Sequence, residues 1–229
     1  MSVVIRDDDP LLAPTFLFRF SAPLRRYDLT TEKLPTPLQL GEEYRLPNFA
    51  ELEGRPAFAE LRAAWGPRGL LLQLWVRGKR QSVWCRESRP EDSDGLQVLI
   101  DTRDTKSIHR AGRFQHSFYL LPQGSGRGFG EGAGVPMAIP RCRELPAPAP
   151  TGSLQVRSRQ FDDGYQLDAL VAASALTGWD PEQHARIGFS YLLRDRELGH
   201  QAFTIGDEFP VTSDPSLWGS LDLLKDGAT

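Results

Sequence analysis

The sequence predicts an all-β protein, an antiparallel β-sandwich built from jelly-roll or immunoglobulin-like layers. Apolar residues recur at every second position in many segments, which is the strand signature. Gly, Pro and Asp turns separate these segments, and the long helical patterns that a parallel α/β fold needs between its strands are missing. A chain of 229 residues suffices for one such domain, which we predict to cover residues 1–229.

The alternation places the strands in order along the chain. Predicted strands cover residues 15–20, 70–77, 96–100, 114–120, 154–158, 165–171, 187–193 and 201–205. The stretch RPAFAELRAAW at 55–65 contains Ala, Glu and Leu, which favour helix, but Gly and Pro on both sides favour a hairpin arm. We therefore predict a strand there, and short helical turns only at 172–176 and 181–185.

One long insertion interrupts this pattern between residues 122 and 152. Glycine occupies every second position from Gly124 to Gly134, and five prolines follow it up to Pro150. Alternate glycines remove side-chain packing and prolines exclude a central strand, so an irregular segment is expected, and a protein partner could dock on it. A phosphate-binding loop is excluded because no Gly-Lys-Ser/Thr ending leads into a helix.

Composition narrows the classes of partner. A formal net charge of -3 does not support a general nucleic-acid-binding or membrane-surface protein. Two isolated cysteines, Cys85 and Cys142, give no disulfide framework or zinc motif. The N-terminal stretch MSVVIRDDDP does not look like a signal peptide, so a cytoplasmic location is expected.

The densest cluster of charged residues lies in DGLQVLIDTRDTKSIHRAGRFQHSFYLLP, at 94–122. Asp101 ends a predicted strand at the rim of the sandwich, where loops cluster and ligands often bind. The rim loop from Asp101 to Arg113 carries a positive excess and could hold an anionic or polyhydroxylated ligand through forked arginine hydrogen bonds. The alternative is a rim where arginine and aspartate only brace the loop.

Histidines within the same stretch admit two interpretations. His116 is in phase with Phe114 and Phe118, which predicts a buried side chain. Otherwise His109 and His116 converge on Asp101 or Asp104 in a hydrolytic or metal-dependent enzyme.

Tryptophans are the remaining candidates for ligand contact. Trp84 lies beside Arg86 in a polar loop, where an exposed ring could stack on the apolar face of a sugar. Trp179 is in a loop near the C-terminus. Trp65 and Trp75 are predicted to be core residues.

Five segments together resemble the family 9 carbohydrate-binding modules. In chain order they are AAWGPRGLLLQLWVRGK, VWCRESRPEDSDGLQVLIDTRD, RFQHSFYLLP, DGYQLDALVAASALTGWDPEQHARIGFSYLLRD and DPSLWGSLDL, between Leu61 and Leu224. The resemblance implies a sandwich related to DOMON domains, with sugar-stacking tryptophans at Trp84 and Trp179. Structural calcium is implied by the resemblance only, because no acidic loop here matches those sites, and no other cofactor is expected. The rim loop is more elaborate than sugar stacking needs, and the sequence looks like a stand-alone subgroup of the fold.

We therefore predict a non-catalytic binding module for a saccharide or another small polar ligand, with the enzyme as the alternative. The predicted ligand-binding residues are Trp84, Arg86, Asp101, Arg103, Asp104, His109, Arg110, Arg113, His116 and Trp179.

Overall fold

A computed structural model describes residues 20–49, 57–204, 206 and 209–225. Eleven strands occupy this part of the chain. They are β1 (Ser21–Arg25), β2 (Ala59–Gly66), β3 (Gly69–Arg77), β4 (Gly95–Asp101), β5 (Gln115–Ser125), β6 (Glu131–Met137), β7 (Leu154–Phe161), β8 (Gly164–Ala172), β9 (Arg186–Asp195), β10 (Gly199–Ala202) and β11 (Gly219–Leu224). They confirm the predicted all-β class.

The strands form two sheets packed face to face. The large sheet has seven strands in the order β1-β11-β9-β4-β5-β6, with β10 also paired to β9. The small sheet has four strands in the order β2-β3-β8-β7. The pairings are antiparallel except for β1 with β11, which are parallel.

Alternating apolar side chains fill the space between the sheets. Leu96, Val98 and Ile100 of β4 face inward, and Leu72 and Leu74 of β3 meet them from the small sheet. The outer faces are also partly covered by loops. Residues 27–44 lie on one half of the small sheet and bury an apolar cluster there, made of Leu34, Leu38, Leu40, Ala64, Leu71 and Leu170.

Helical structure is limited to three-residue turns in the described residues. One of them, Ala173–Ala175, confirms the turn predicted at 172–176, whereas residues 181–185 form no helix. The strand prediction for 55–65 is confirmed by β2. The strand predicted at 15–20 lies almost wholly outside the described residues, as does the end of the one at 201–205. No described helix is long and apolar enough to cross a membrane.

The insertion expected to be irregular is partly a hairpin. Strand β5 continues to Ser125, and β6 returns from Glu131 as the edge strand of the large sheet, where Pro136 is tolerated. A Cβ on Gly132 would lie 2.9 Å from Cγ1 of Val156, and one on Gly134 only 2.7 Å from Cβ of Leu154. The alternate glycines therefore allow β6 to approach β7 closely, and only the segment from 138 to 153 remains irregular.

Candidate functional site

The structure does not bring Trp84 and the rim loop together. Trp84 is fixed at the start of β4, where its backbone N–H donates to Oδ2 of Asp94 at 3.0 Å. The rim loop begins at Asp101, at the other end of this seven-residue strand. Seven extended residues span about 23 Å, so the two halves of the predicted rim site lie at opposite ends of the sandwich.

The Trp84 ring is engaged by neighbouring cations. The guanidinium carbons of Arg86 and Arg196 lie 5.0 Å and 4.6 Å from its centroid. Guanidinium packing therefore uses the aromatic surface on which a sugar was expected to stack.

The Asp101 carboxylate stabilises the turn that starts the rim loop. One carboxylate oxygen accepts from the N–H of Arg103 at 2.9 Å, and the other accepts from the N–H of Thr105 at 2.7 Å. Burial raises the pKa of Asp101, although these amides and Gln115 favour the carboxylate.

The cationic side chains of the rim loop brace it against its neighbours. Arg103 donates to the Gly178 carbonyl at 2.6 Å and packs over Phe114. Arg110 donates to the Arg141 carbonyl at 2.9 Å. Asp104, the second acidic candidate, lies 2.7 Å from Lys106 Nζ. These contacts agree with the alternative in which rim charges hold the loop.

Arg113 is the exposed arginine of this loop that packs over an aromatic ring. Its guanidinium carbon lies 4.8 Å from the centroid of Phe114.

The two candidate histidines lie on opposite sides of the large sheet. His116 is buried between the sheets and stacks on Phe118, and burial lowers its pKa to about 4. His109 is 75% exposed, and its Nδ1 lies 3.0 Å from Oδ2 of Asp214, in the loop that covers the outer face. The predicted convergence of both histidines on Asp101 or Asp104 is therefore wrong.

His109 also contacts a serine, but the arrangement is not a catalytic relay. Ser216 Oγ lies 3.1 Å from Nδ1 of His109, the same ring nitrogen that faces Asp214. A Ser-His-Asp relay requires the serine and the carboxylate to use different ring nitrogens. Within the described ranges, no group of three or more His, Cys, Asp and Glu side chains could hold a metal ion. The structural calcium implied by the resemblance stays a prediction.

Trp179 seals one end of the sandwich. Its Nε1 donates to the Gly66 carbonyl at 3.2 Å, and its ring packs against the main core. It is half-buried and takes part in packing.

A groove of about 540 Å³ lies on the outer face of the small sheet, away from every predicted site residue. One wall is the segment 36–40, and the floor comes from β3, β8 and β7. Strand register places the floor side chains in two rows. The first row is Trp75, Gln166 and Arg159, and the second is Gln73, Asp168 and Arg157.

Hydrogen bonds connect the two rows. Asp168 Oδ1 accepts from Nε2 of Gln73 and from Nε2 of Gln166, both at 2.8 Å. The Oε1 of Gln166 in turn accepts from Arg159 at 3.1 Å. Because each amide has defined partners, the donors and acceptors of the floor are fixed in orientation before any ligand binds.

The same side chains attach the wall to the sheet. Gln73 accepts from the N–H of Leu40 at 3.2 Å and donates to the Leu38 carbonyl at 2.7 Å. Arg157 donates to the Pro35 carbonyl at 3.0 Å. The groove is therefore held open by side-chain bonds to a segment that has no strand pairing with the small sheet.

Trp75 supplies the aromatic surface of the groove, and its prediction as a core residue was wrong. It is half-buried on the outer face, with the guanidinium carbon of Arg62 4.8 Å from its centroid. Trp75 lines the groove, whereas Arg62 does not. The sequence does contain an indication of this outer face. On each of three strands, residues two positions apart are polar or amphipathic: Gln73 with Trp75, Gln166 with Asp168, and Arg157 with Arg159.

No family model and no curated protein matches the chain. Solved structures do. A carbohydrate-binding module of family 9 from Caldicellulosiruptor kristjanssonii in complex with cellotriose aligns with a TM-score of 0.58 at 12% identity, over 92% of this chain and 97% of that one. The module in complex with glucose aligns with a TM-score of 0.60 at 12% identity, over 92% and 99%. The relation to DOMON domains stays a prediction. The chain has the β-sandwich fold of the family 9 carbohydrate-binding modules, as the resemblance predicted.

Proposed function

We propose that the protein is a non-catalytic module that binds a saccharide in the groove on the outer face of the small sheet. The observation that carries the proposal is the position of Trp75 beside a fixed row of amide, carboxylate and guanidinium groups. Aromatic rings bind the apolar C–H face of a pyranose, while polar groups around them select the hydroxyls.

Each floor residue has a role in this arrangement. Trp75 stacks on the sugar ring, and Asp168 accepts from hydroxyl groups with the oxygen that the two amides leave free. Gln166 and Arg159 present a further amide and guanidinium from the same row. Because these groups already hold one another, binding orders few side chains, which favours affinity.

Two further observations support a saccharide as the ligand. The aligned modules were solved in complex with cellotriose and with glucose. The volume of the groove, about 540 Å³, lies within the range of sites for small molecules.

A rim site remains the second candidate for the same function. It would use Trp84 with Arg86 at one end of β4, or the rim loop with Arg110 and Arg113 at the other. The groove is favoured because a connected row of polar side chains lies beside Trp75, whereas Trp84 and the rim loop lie at opposite ends of β4.

Two tryptophan variants separate the candidates. Titration calorimetry with cellotriose should show that Trp75→Ala weakens binding at least about tenfold, equivalent to about 1.4 kcal/mol, because the stacking surface is lost. Trp84→Ala should keep the wild-type affinity. Loss of binding in Trp84→Ala with full binding in Trp75→Ala would move the site to that end of β4. A wild-type protein that binds no saccharide on a glycan array would refute the function.

A further inference from the structure

We infer that the groove selects an acidic saccharide, whose pyranose carries a carboxylate that Arg157 and Arg159 bind. This inference rests on the proposed function and adds the chemical class of the ligand.

Both rows of the groove floor end in an arginine on the same strand. Arg159 lies opposite Gln166, and Arg157 lies opposite Asp168. The two arginines are two residues apart on β7, so they share one face and their Cα atoms are about 7 Å apart. Because β7 is the edge strand of the small sheet, the guanidinium groups form the side of the groove across from Trp75 on β3.

The charges of these two arginines are not neutralised within the protein. Arg157 donates to the Pro35 carbonyl, while Arg159 donates to the Gln166 amide and packs over Phe161 at 4.9 Å. Neither forms an ion pair with any residue that the structure describes.

Arg62, just outside the groove, is different. It pairs with Glu60 at 2.7 Å and with Glu42, so its charge is matched. Unlike Arg62, Arg157 and Arg159 therefore have no carboxylate partner among the described residues.

The donor geometry of the guanidinium group indicates that a ligand carboxylate would pair with Arg157 and Arg159. Arginine has five N–H donors in a planar fork that fits a carboxylate with two parallel hydrogen bonds. The bonds described for Arg157 and Arg159 use only part of this capacity. Asp168 is the one carboxylate among the described residues that line the groove, so the two arginines leave a net positive charge there. The row from Trp75 through Gln166 leads to Arg159, so a saccharide that extends from Trp75 along this row would bring its C6 carboxylate to the arginines of β7.

The test compares two ligands that differ only at C6. Cellotriose and its C6-oxidised form, a trimer of glucuronic acid units, are titrated calorimetrically at pH 7 in low and high salt. The wild type should bind the acidic trimer roughly tenfold more tightly, a preference that weakens in high salt. Arg159→Gln should remove the preference by weakening binding of the acidic trimer far more than binding of cellotriose, because Gln keeps a hydrogen-bond donor at the floor but not the charge.

Controls separate this charge from the general charge of the protein. Arg127→Gln, at the tip of the β5–β6 hairpin, removes an arginine that does not line the groove and should keep the preference. Arg157→Gln should also remove it, with a thermal unfolding curve to confirm that the wall segment stays in place. Equal binding of the two trimers by the wild type overturns the inference and leaves the proposed function intact. Binding of neither trimer overturns both, and a preference that survives in both groove variants overturns the inference.

Discussion

Nζ of Lys79 lies 2.9 Å from Oδ1 of Asp195, and both side chains are buried. The same ammonium group lies 3.1 Å from Oδ2 of Asp94, which also accepts from the backbone N–H of Trp84. Burial disfavours the charged amine, but the hydrogen bonds and charges of Asp195 and Asp94 outweigh it, and the pKa of Lys79 is raised. This buried cluster therefore fixes the Trp84 loop at the start of β4.

Removing the lysine should destabilise the fold strongly. Lys79→Met would leave the Asp94 and Asp195 carboxylates buried without their cation, which costs about 3–5 kcal/mol in comparable buried pairs. Urea unfolding followed by tryptophan fluorescence would measure the loss.

Two further variants test the cause of this loss. Lys225→Met removes an exposed pair with Glu182 and should cost less than about 1 kcal/mol. Adding Asp195→Asn to Lys79→Met should recover part of the stability, because Asn keeps the oxygen that accepts from Glu197 and Leu198 without the charge. A double variant no more stable than Lys79→Met would show that charge is not the cause.

The strands were predictable from the sequence, whereas the groove was not. Alternation identifies β4, β8 and β9 because one face of each is apolar. In β3 the leucines cover both faces near Leu71, because the segment 27–44 covers half of the outer face. In the run LLLQLW only Gln73 marks the outer face as polar. The path of the segment 27–44, which the sequence does not show, leaves Trp75 at the edge of a groove.

The separation of Trp84 from the rim loop was implicit in the sequence. Asp94 and Asp101 flank the predicted strand, and a strand of that length places its ends about 23 Å apart. The predicted rim site joined Trp84 and the rim loop, although this strand separates them. Residues two positions apart on paired strands, such as Arg157 and Arg159 beside Gln166, are the ones that share a surface.

The alternate glycines of β6 allow close packing of this strand against β7, and this packing can be tested by adding a side chain. Gly134→Ala would place a methyl group 2.7 Å from Cβ of Leu154 on the facing strand. Because the two strands would have to separate, we expect a loss of about 1–3 kcal/mol in the free energy of unfolding, measured by chemical denaturation.

Gly130 supplies the matched control at the tip of the same hairpin. Its φ of -89° suits any residue, and a Cβ at this position would meet no atom within 4 Å. Gly130→Ala should therefore be neutral or stabilising by up to about 1 kcal/mol. Equal losses in both variants would mean that hairpin flexibility, and not close packing against β7, requires the glycines.

His116 should make the stability of the protein depend on pH. Burial between the sheets lowers its pKa from 6.5 to about 4, against the opposing effect of a hydrogen bond to the Thr177 backbone. Among the described residues, its buried Nε2 has no hydrogen-bond partner, so protonation would create a buried donor without an acceptor.

Because the pKa of His116 is lowered in the folded protein, acid should destabilise the protein. The unfolded chain binds a proton to this histidine more readily than the folded protein does. The stability that neutral His116 contributes to the folded protein is therefore fully present above pH 6.5, and it is lost as the pH falls from 6.5 to 4. The loss should reach about 3 kcal/mol, since each pKa unit corresponds to about 1.4 kcal/mol.

Denaturant unfolding at intervals between pH 7.5 and pH 4 measures this effect. His116→Gln removes the titrating group, so the variant should lose about 3 kcal/mol less than the wild type over that range. Parallel curves for wild type and His116→Gln would show that other groups dominate acid unfolding and that His116 is protonated in the folded state near its ordinary pKa.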